Sequence, residues 1–133
     1  MKLIDKVAWI HLEDRRVLST RSRGKSVYYF PGGKREAGET DVEVLCREIK
    51  EELDVEIDRD SAIYIGTFEA HAHGHDAEVL VQMRCYEANF SGTLTASSEI
   101  DCFEWMRYRD RERTSEVDQK IFDFLWERAL IDM

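Results

Sequence analysis

The spacing of apolar residues changes along the chain, and each kind of spacing predicts a different element of secondary structure. Alternation of apolar and polar residues, bounded by polar or glycine-containing turns, indicates strands. Strands are predicted at residues 3–12, 16–20, 27–30, 55–57, 62–70, 77–87 and 103–106. The two longest consecutive strands after residue 60 would form a hairpin with Gly74 at its tip.

Two other stretches repeat their apolar residues with helical spacing. The first opens at Thr40, where Glu43 completes a capping box, and its apolar face comprises Val42, Leu45, Ile49 and Leu53. The second begins after Thr114 or Ser115, with a predicted buried face of Val117, Ile121, Phe124, Leu125, Arg128 and Ala129. The order of strands and helices predicts an α/β/α sandwich, with a mixed sheet between the two helices.

Composition narrows the class of protein. A length of 133 residues suits one domain, residues 1–133, with a substantial core. The 28 acidic and 19 basic residues give a net charge of −9, which argues against a nucleic-acid polymer as partner. The three cysteines, Cys46, Cys85 and Cys102, show no paired spacing, which indicates reduced thiols in a cytoplasm. No apolar run approaches the length of a membrane span.

Candidate chemistry is concentrated where a glycine loop enters the first helix. Glu48, Glu51 and Glu52 are spaced so that their carboxylates share one helix face, away from the apolar stripe. Such a face is either simply solvated or gathers a divalent cation. The loop Pro31-Gly32-Gly33-Lys34-Arg35 favours the second interpretation, because glycines allow the backbone to approach a ligand and a helix N-terminus favours anions. The combination indicates a metal-dependent site for a phosphate ester or a pyrophosphate.

These residues resemble the Nudix box, G-x5-E-x7-R-E-U-x-E-E-x-G-U, in which U is aliphatic. The match extends from Gly33 through Glu39 and Arg47 to Val55, and every fixed position agrees except Asp54, which replaces a glycine. That glycine usually ends the helix in a left-handed turn, a conformation that Asp tolerates better than most residues. The preceding Pro31-Gly32 is similar to MutT-like members, and the resemblance implies the same sandwich fold.

The resemblance also implies roles for individual residues. Glu48, Glu51 and Glu52 would hold Mg2+, with Mn2+ as a substitute, together with the Gly32 carbonyl and a later glutamate. Glu99 is the best match for that glutamate, with Asp101 and Glu104 as rivals, and either it or a box glutamate would be the base. Arg47 and Glu39 would pair with each other or with box carboxylates and orient them. Lys34 and Gly33 would contact phosphate, as would Arg23 if its basic loop is not merely solvated.

The substrate implied is a small nucleotide. The protein is expected to be a monomer or homodimer that does not associate with a membrane. The leading hypothesis is a nucleoside triphosphate pyrophosphohydrolase, since Pro31 is the only proline and His71 replaces the tyrosine of dinucleoside polyphosphate hydrolases. Tyr28, Phe68 and Trp105 are equal candidates for base contact or core. His71, His73 and His75 are interpreted as surface residues, or as a contact at the mouth of the site, rather than as a metal site. A nucleotide-sensing module, a hydrolase of other diphosphates and an isopentenyl diphosphate type of isomerase are the alternatives.

Overall fold

The computed structural model of the protein describes residues 2–72 and 78–133. Within these ranges the chain forms nine strands, two α-helices and two short 3-10 helices. The strands are β1 (Lys2–Trp9), β2 (Leu12–Glu13), β3 (Arg16–Ser22), β4 (Gly32–Lys34), β5 (Glu56–Ile57), β6 (Ile63–His71), β7 (Val79–Glu87), β8 (Phe90–Ser91) and β9 (Ile100–Met106). The helices are α1 (Asp41–Leu53) and α2 (Glu116–Glu127), and the 3-10 helices span Arg59–Ser61 and Tyr108–Arg113.

The largest sheet has the strand order β4-β1-β7-β6. β1 and β7 are parallel over their whole length, from Lys2 opposite Val79 to Trp9 opposite Tyr86. β4 and β6 join this pair in antiparallel fashion, so the sheet is mixed. A second sheet has the order β2-β3-β9, and β5 pairs with β8.

The two helices cover opposite faces of the mixed sheet. Alternate β1 residues divide between the faces: Val7 and Trp9 pack in the core cluster that contains the α1 residues Leu45 and Ile49. Ala8, and Ile10 just after the strand, pack in the other cluster, whose members from α2 include Val117, Ile121, Phe122 and Leu125. The α/β/α sandwich predicted from the sequence is therefore confirmed.

Residues 27–30 do not form the predicted strand. Tyr28 and Tyr29 make only single bridges, to Thr114 and Thr20. The Phe30 backbone N–H donates instead to the Asp118 carboxylate, at 2.8 Å. Regular strand pairing begins only two residues later, at β4, where the glycine loop lies against β1. Contacts with distant residues therefore override the local preference of this apolar, aromatic segment for a strand.

The end of α2 also differs from the prediction. Ser115 is the N-cap, as proposed, and its hydroxyl accepts the Asp118 N–H. Phe122 is fully buried whereas Phe124 is only partly buried. Arg128 and Ala129, which were assigned to the buried face, lie beyond the last residue of the helix and are exposed, because the chain turns at Ala129 with a φ of 57°.

No helix formed by residues 2–72 and 78–133 combines the length and the apolar character needed to cross a membrane. Cys46, Cys85 and Cys102 are free thiols, as expected from their spacing.

Candidate active site

Local capping fixes both ends of α1. Thr40 and Glu43 form the predicted capping box, in which each side chain bonds the backbone N–H of the other residue. At the other end Asp54 has φ 57° and ψ 37°, the left-handed conformation predicted for it. α1 therefore begins and ends where the box motif requires, which aims Glu48 and Glu52 at the glycine loop.

Glu48 and Glu52 approach the backbone of β4 closely. The Gly32 N–H donates to the Glu52 carboxylate at 3.1 Å, and the Glu52 side chain is buried, with 5% exposure. A Cβ atom on Gly33 would overlap the carboxylate of Glu48. Gly32 has a φ of 144°, and a Cβ there would overlap the Val7 carbonyl of the neighbouring strand. Glycine is therefore required at position 32 by the neighbouring backbone, whereas a side chain at position 33 would displace the Glu48 carboxylate.

Burial and mutual repulsion shift the acidity of these glutamates. Burial, aided by the charges of Glu48 and Glu99, raises the pKa of Glu52 to about 9, although the Gly32 N–H opposes the shift. Burial also raises the pKa of Glu48, with Arg47 opposing the shift and Glu51 and Glu99 adding to it. The four carboxyl groups thus form one electrostatic cluster, and a cation among them would relieve both the burial penalty and the repulsion.

Glu99 reaches this cluster because its loop is bound to the end of α1. The backbone N–H groups of Thr95 and Ser97 donate to the carbonyls of Leu53 and Glu52, each at 2.9 Å. These carbonyls belong to the last turn of the helix, where no intrahelical donor remains. The Arg23 N–H in turn donates to the Glu99 carbonyl at 2.8 Å. Glu99 is therefore held from both sides while its side chain remains exposed in the cleft.

The two rivals of Glu99 have other partners. Asp101 pairs with Arg21 at 3.0 Å. Glu104 accepts a bond from Arg113 at 2.7 Å and a short one from the Tyr28 hydroxyl. Neither lines the cleft that contains Glu99. Tertiary structure thus separates three acidic residues that the sequence alone left as alternatives.

Arg47 connects the helix to the loop. Its guanidinium donates to both carboxylate oxygens of Glu39, at 2.7 and 2.8 Å, to Glu48 at 3.0 Å and to the Lys34 carbonyl at 3.1 Å. The bidentate bond with Arg47 lowers the pKa of Glu39 to about 2. The pairing of Arg47 with Glu39 and a box carboxylate, expected from the resemblance, is present, and it fixes the direction of the Glu48 side chain.

A cleft of about 560 Å³ opens beside these groups. Glu48, Glu52 and Glu99 lie in its acidic part, together with Gly32 and Gly33. Lys6, Lys25, Lys34 and His71 also line it. The remaining lining includes three hydroxyl residues, Thr20, Ser22 and Ser115, but is mainly apolar or aromatic: Ile4, Tyr29, Phe30, Ala72, Val81, Ile100 and Val117. The cleft is large enough for a small nucleotide and has both a charged and an apolar part.

Asp118 lies behind the apolar wall and was missed by the sequence analysis. It is fully buried on α2, where Oδ2 accepts the Phe30 N–H and the backbone N–H meets the Ser115 hydroxyl. Its Oδ1 atom has no hydrogen-bond partner among the described residues. Burial raises the pKa of Asp118 to about 6 despite the nearby charge of Lys6. Only its position within the apolar stripe of α2, next to Val117, could have signalled this burial.

The comparisons with known proteins agree with this geometry. A family model described as the NUDIX domain matches residues 4–125. The chain belongs to the Nudix family. No curated protein sequence matches the chain significantly.

Solved structures of Nudix proteins share the fold. The E. coli ORF135 protein is 26% identical, with a TM-score of 0.76 over 97% of this chain and 93% of that one. MutT from Methanosarcina mazei is 18% identical, with a TM-score of 0.77 over 96% and 95%. The dihydroneopterin triphosphate pyrophosphohydrolase of E. coli is 16% identical, with a TM-score of 0.71 over 95% of each chain. These likenesses show that the chain shares its fold with MutT proteins. As a member of the Nudix family, the chain is a hydrolase that acts on pyrophosphate bonds in nucleotide derivatives.

Nudix hydrolases generally use divalent metals, and the donor set here fits such an ion. Glu48, Glu52 and Glu99 offer only oxygen ligands, as Mg2+ requires. Among residues 2–72 and 78–133, no three acidic, histidine or cysteine side chains already converge on one point. Mg2+ does not need that preformed cage, because it commonly binds through one or two carboxylates and keeps several waters.

Other predicted site residues are placed less centrally. Glu51 is exposed and Arg23 contributes its backbone N–H rather than lining the cleft, whereas Lys25 of the same loop does line it. The three aromatic candidates for base contact, Tyr28, Phe68 and Trp105, are also absent from the lining, where Tyr29 and Phe30 are found instead. The prediction for His73 and His75 lies outside the described residues.

Proposed function

We propose that this Nudix protein is a Mg2+-dependent nucleoside triphosphate pyrophosphohydrolase that releases a nucleoside monophosphate and pyrophosphate. The observation that carries the proposal is the two-part cleft, with glutamates at the glycine loop and apolar and aromatic residues beyond them. A triphosphate would occupy the charged part and the nucleoside the apolar part. The cleft volume of about 560 Å³ suits a ligand of that size.

We assign the metal-holding role to Glu48, Glu51 and Glu52, with Glu99 and the Gly32 carbonyl as further oxygen donors. When bound, Mg2+ supplies charge neutralisation for the phosphates and a more acidic water. The chain's own part is to keep the carboxylates in place: the Gly32 N–H orients Glu52, and Arg47 orients Glu48. Arg47 and Glu39 are positioning residues in this scheme.

We propose Glu99 as the group that takes the proton from the attacking water. Its side chain forms no ion pair among the described residues, whereas Asp101 and Glu104 are both paired with arginines. Glu99 also lies on the cleft side of the cluster, exposed to the water that it would deprotonate. The box glutamates remain the alternative, although Glu48 and Glu52 already have structural roles at the glycine loop and Glu51 does not line the cleft.

The proposed preference for a triphosphate rests on the similarity to solved structures and on the absence of residues typical of other Nudix substrate classes. One structural neighbour is a dihydroneopterin triphosphate pyrophosphohydrolase, and others are MutT proteins. The downstream proline typical of ADP-ribose hydrolases is missing, and His71 stands where dinucleoside polyphosphate hydrolases carry tyrosine. We further propose a cytoplasmic monomer or homodimer, a location that the three free thiols support.

The test is a hydrolysis panel with Mg2+. It includes ribo- and deoxyribonucleoside triphosphates, ADP-ribose, a nucleotide sugar and a dinucleoside polyphosphate. Release of pyrophosphate with a nucleoside monophosphate from a triphosphate is the expected result. Faster turnover of ADP-ribose or of a dinucleoside polyphosphate, or release of single phosphates from triphosphates, would contradict the proposed substrate class.

Two other functions are less well supported. A non-catalytic sensor would bind one nucleotide without turning over any member of the panel, but the acidic residues of the box are all retained. An isopentenyl diphosphate type of isomerase needs a catalytic cysteine, and none of the three cysteines lines the cleft. Burial raises the pKa of the Cys85 thiol, which makes it a poor acid-base group at neutral pH.

A further inference from the structure

Two lysines face each other across the floor of the cleft. The β1–β4 register places Lys6 directly opposite Lys34, so their side chains emerge on the same face of the sheet as close neighbours. Both side chains line the cleft. Like charges directly opposite on adjacent strands weaken strand pairing. The chain as a whole is acidic, with a net charge of −9, so two adjacent lysines are unexpected in it. Because their repulsion lowers stability, we expect the pair to have a function.

Neither lysine is neutralised by a carboxylate. Lys6 and Lys34 form no ion pair with any described residue. The Lys6 side chain contacts Tyr29, whose ring centroid lies 5.3 Å from the ammonium. Stacking of this kind holds the lysine in one direction without cancelling its charge. The ammonium thus remains available to a ligand.

Lys6 is also adjacent to both parts of the cleft. It lies opposite Lys34, the residue after Gly33 of the glycine loop, and its ammonium lies over the ring of Tyr29, which belongs to the apolar and aromatic lining. Ile4, two residues earlier on the same strand face, belongs to the same lining. A ligand that occupies both parts would therefore have Lys6 beside the junction of its anionic and apolar portions.

We propose that Lys6 and Lys34 form a two-ammonium site that binds phosphoryl oxygens, with Lys6 contacting the phosphate nearest the nucleoside. This inference rests on the proposed function for the identity of the anion as a nucleotide polyphosphate. Lys6 lies outside the Nudix box, and its role follows from the register with β4 rather than from the motif. Two adjacent cations suit a polyanion better than a singly charged or neutral ligand.

The test measures binding of inorganic tripolyphosphate in the presence of Mg2+ by isothermal titration calorimetry. Lys6→Met should weaken binding by about 10-fold or more, while Lys6→Arg should stay within about 3-fold of wild type. Lys2→Met is the matched control, because it removes one charge from the same strand but does not line the cleft. Its affinity should equal that of wild type.

Several outcomes would overturn the proposal. The proposal fails if wild type does not bind tripolyphosphate, or if Lys6→Met binds it as tightly as wild type does. It also fails if Lys6→Met and Lys2→Met are weakened equally, because the loss of affinity would then follow from net charge alone. Without anion, Lys6→Met should unfold at the same temperature as wild type or higher, since a repulsion has been removed. A lower unfolding temperature would assign Lys6 a structural role instead.

The same variants separate this inference from the proposed function. If no triphosphate is hydrolysed but Lys6→Met still loses affinity for tripolyphosphate, the proposed function fails and the lysine site stands. If triphosphates are hydrolysed and Lys6→Met has an unchanged KM, the lysine site fails and the function stands. A raised KM in Lys6→Met, largely restored in Lys6→Arg, supports both.

Discussion

Replacing Asp118 with asparagine should change how stability depends on pH. The carboxyl group is fully buried, and burial raises its pKa from 3.8 to about 6. The groups that face it are the Phe30 N–H, the Ser115 hydroxyl and the more distant charge of Lys6, and all three lower the pKa without cancelling the burial effect. Asp118→Asn keeps an oxygen acceptor for Phe30 but removes the titration.

The sign follows from proton uptake. Because the folded protein binds the Asp118 proton more tightly than the unfolded chain does, this group contributes stability that is fully present below its unfolded pKa of 3.8. That contribution is lost as the pH rises through the folded pKa of about 6. The difference between the two pKa values corresponds to about 3 kcal/mol in total.

Most of this change lies in a range where the experiment is practical. From about pH 4.5 to about pH 8, wild type should lose about 2 kcal/mol more stability than Asp118→Asn. The free energy of unfolding is measured for both proteins by urea denaturation across that range. Any free-energy cost of burying the asparagine amide is constant, so it displaces the variant's curve of unfolding free energy against pH by the same amount at every pH. The other titrating groups are the same in both proteins, so their contributions cancel when the two curves are subtracted.

Asp123→Asn provides a control on the same helix with the opposite sign. Arg111 and Tyr108 lower the pKa of Asp123 through hydrogen bonds, so its contribution is present above the unfolded pKa and lost as the pH falls. The stability of Asp123→Asn relative to wild type should therefore fall as the pH rises. A pH-independent difference between Asp118→Asn and wild type would refute the assignment of a buried, weakly acidic carboxyl group.

Three further predictions concern the carboxylate cluster. Glu52→Gln should fold, with a thermal stability at neutral pH no lower than that of wild type, because it removes a buried carboxyl group whose pKa is raised to about 9. It should lose turnover by at least ~100-fold, as loss of a key electrostatic group does; near-normal kcat would show that the metal assignment is wrong. Glu99→Gln should lower kcat strongly while Asp101→Asn leaves it unchanged, and steady-state kinetics showing the reverse order would exchange their roles. Gly33→Ala should displace the Glu48 carboxylate and reduce the rise in unfolding temperature that Mg2+ produces in wild type; calorimetry finding the same rise in both proteins would contradict this.

Features set by neighbouring residues were predictable from the sequence. The capping box of Thr40 and Glu43 and the left-handed turn at Asp54 depend on contacts within a few residues, and both are present. The box motif also fixed the register of Glu48 and Glu52 relative to Gly33, because loop and helix are contiguous. Distant residues have little influence on the conformation of such local features, so the sequence of the segment is enough to predict them.

Features set by distant contacts were not predictable. The aromatic run at 27–30 was expected to be a strand, but its backbone is taken up by single bridges and by the Asp118 carboxylate, 88 residues away from Phe30. Likewise, the choice among Glu99 and its rivals depends on arginines brought close by folding, and the role proposed for Lys6 depends on the β1–β4 register. Neither kind of information is present in residue spacing along one segment.

The parallel pairing of β1 with β7 also has a consequence for how the protein is made. β1 leaves the ribosome well before β7, its neighbour in the middle of the sheet, which begins only at Val79. Until β7 has been synthesised, one edge of β1 has no hydrogen-bonding partner and its apolar residues are not fully buried. Such a state favours slow folding and association with other chains. Helix α1, to which we assign the metal ligands, is synthesised before that segment, but the sheet beneath it is not yet complete. If the assignment holds, the nascent chain should acquire metal affinity only after β7 has emerged.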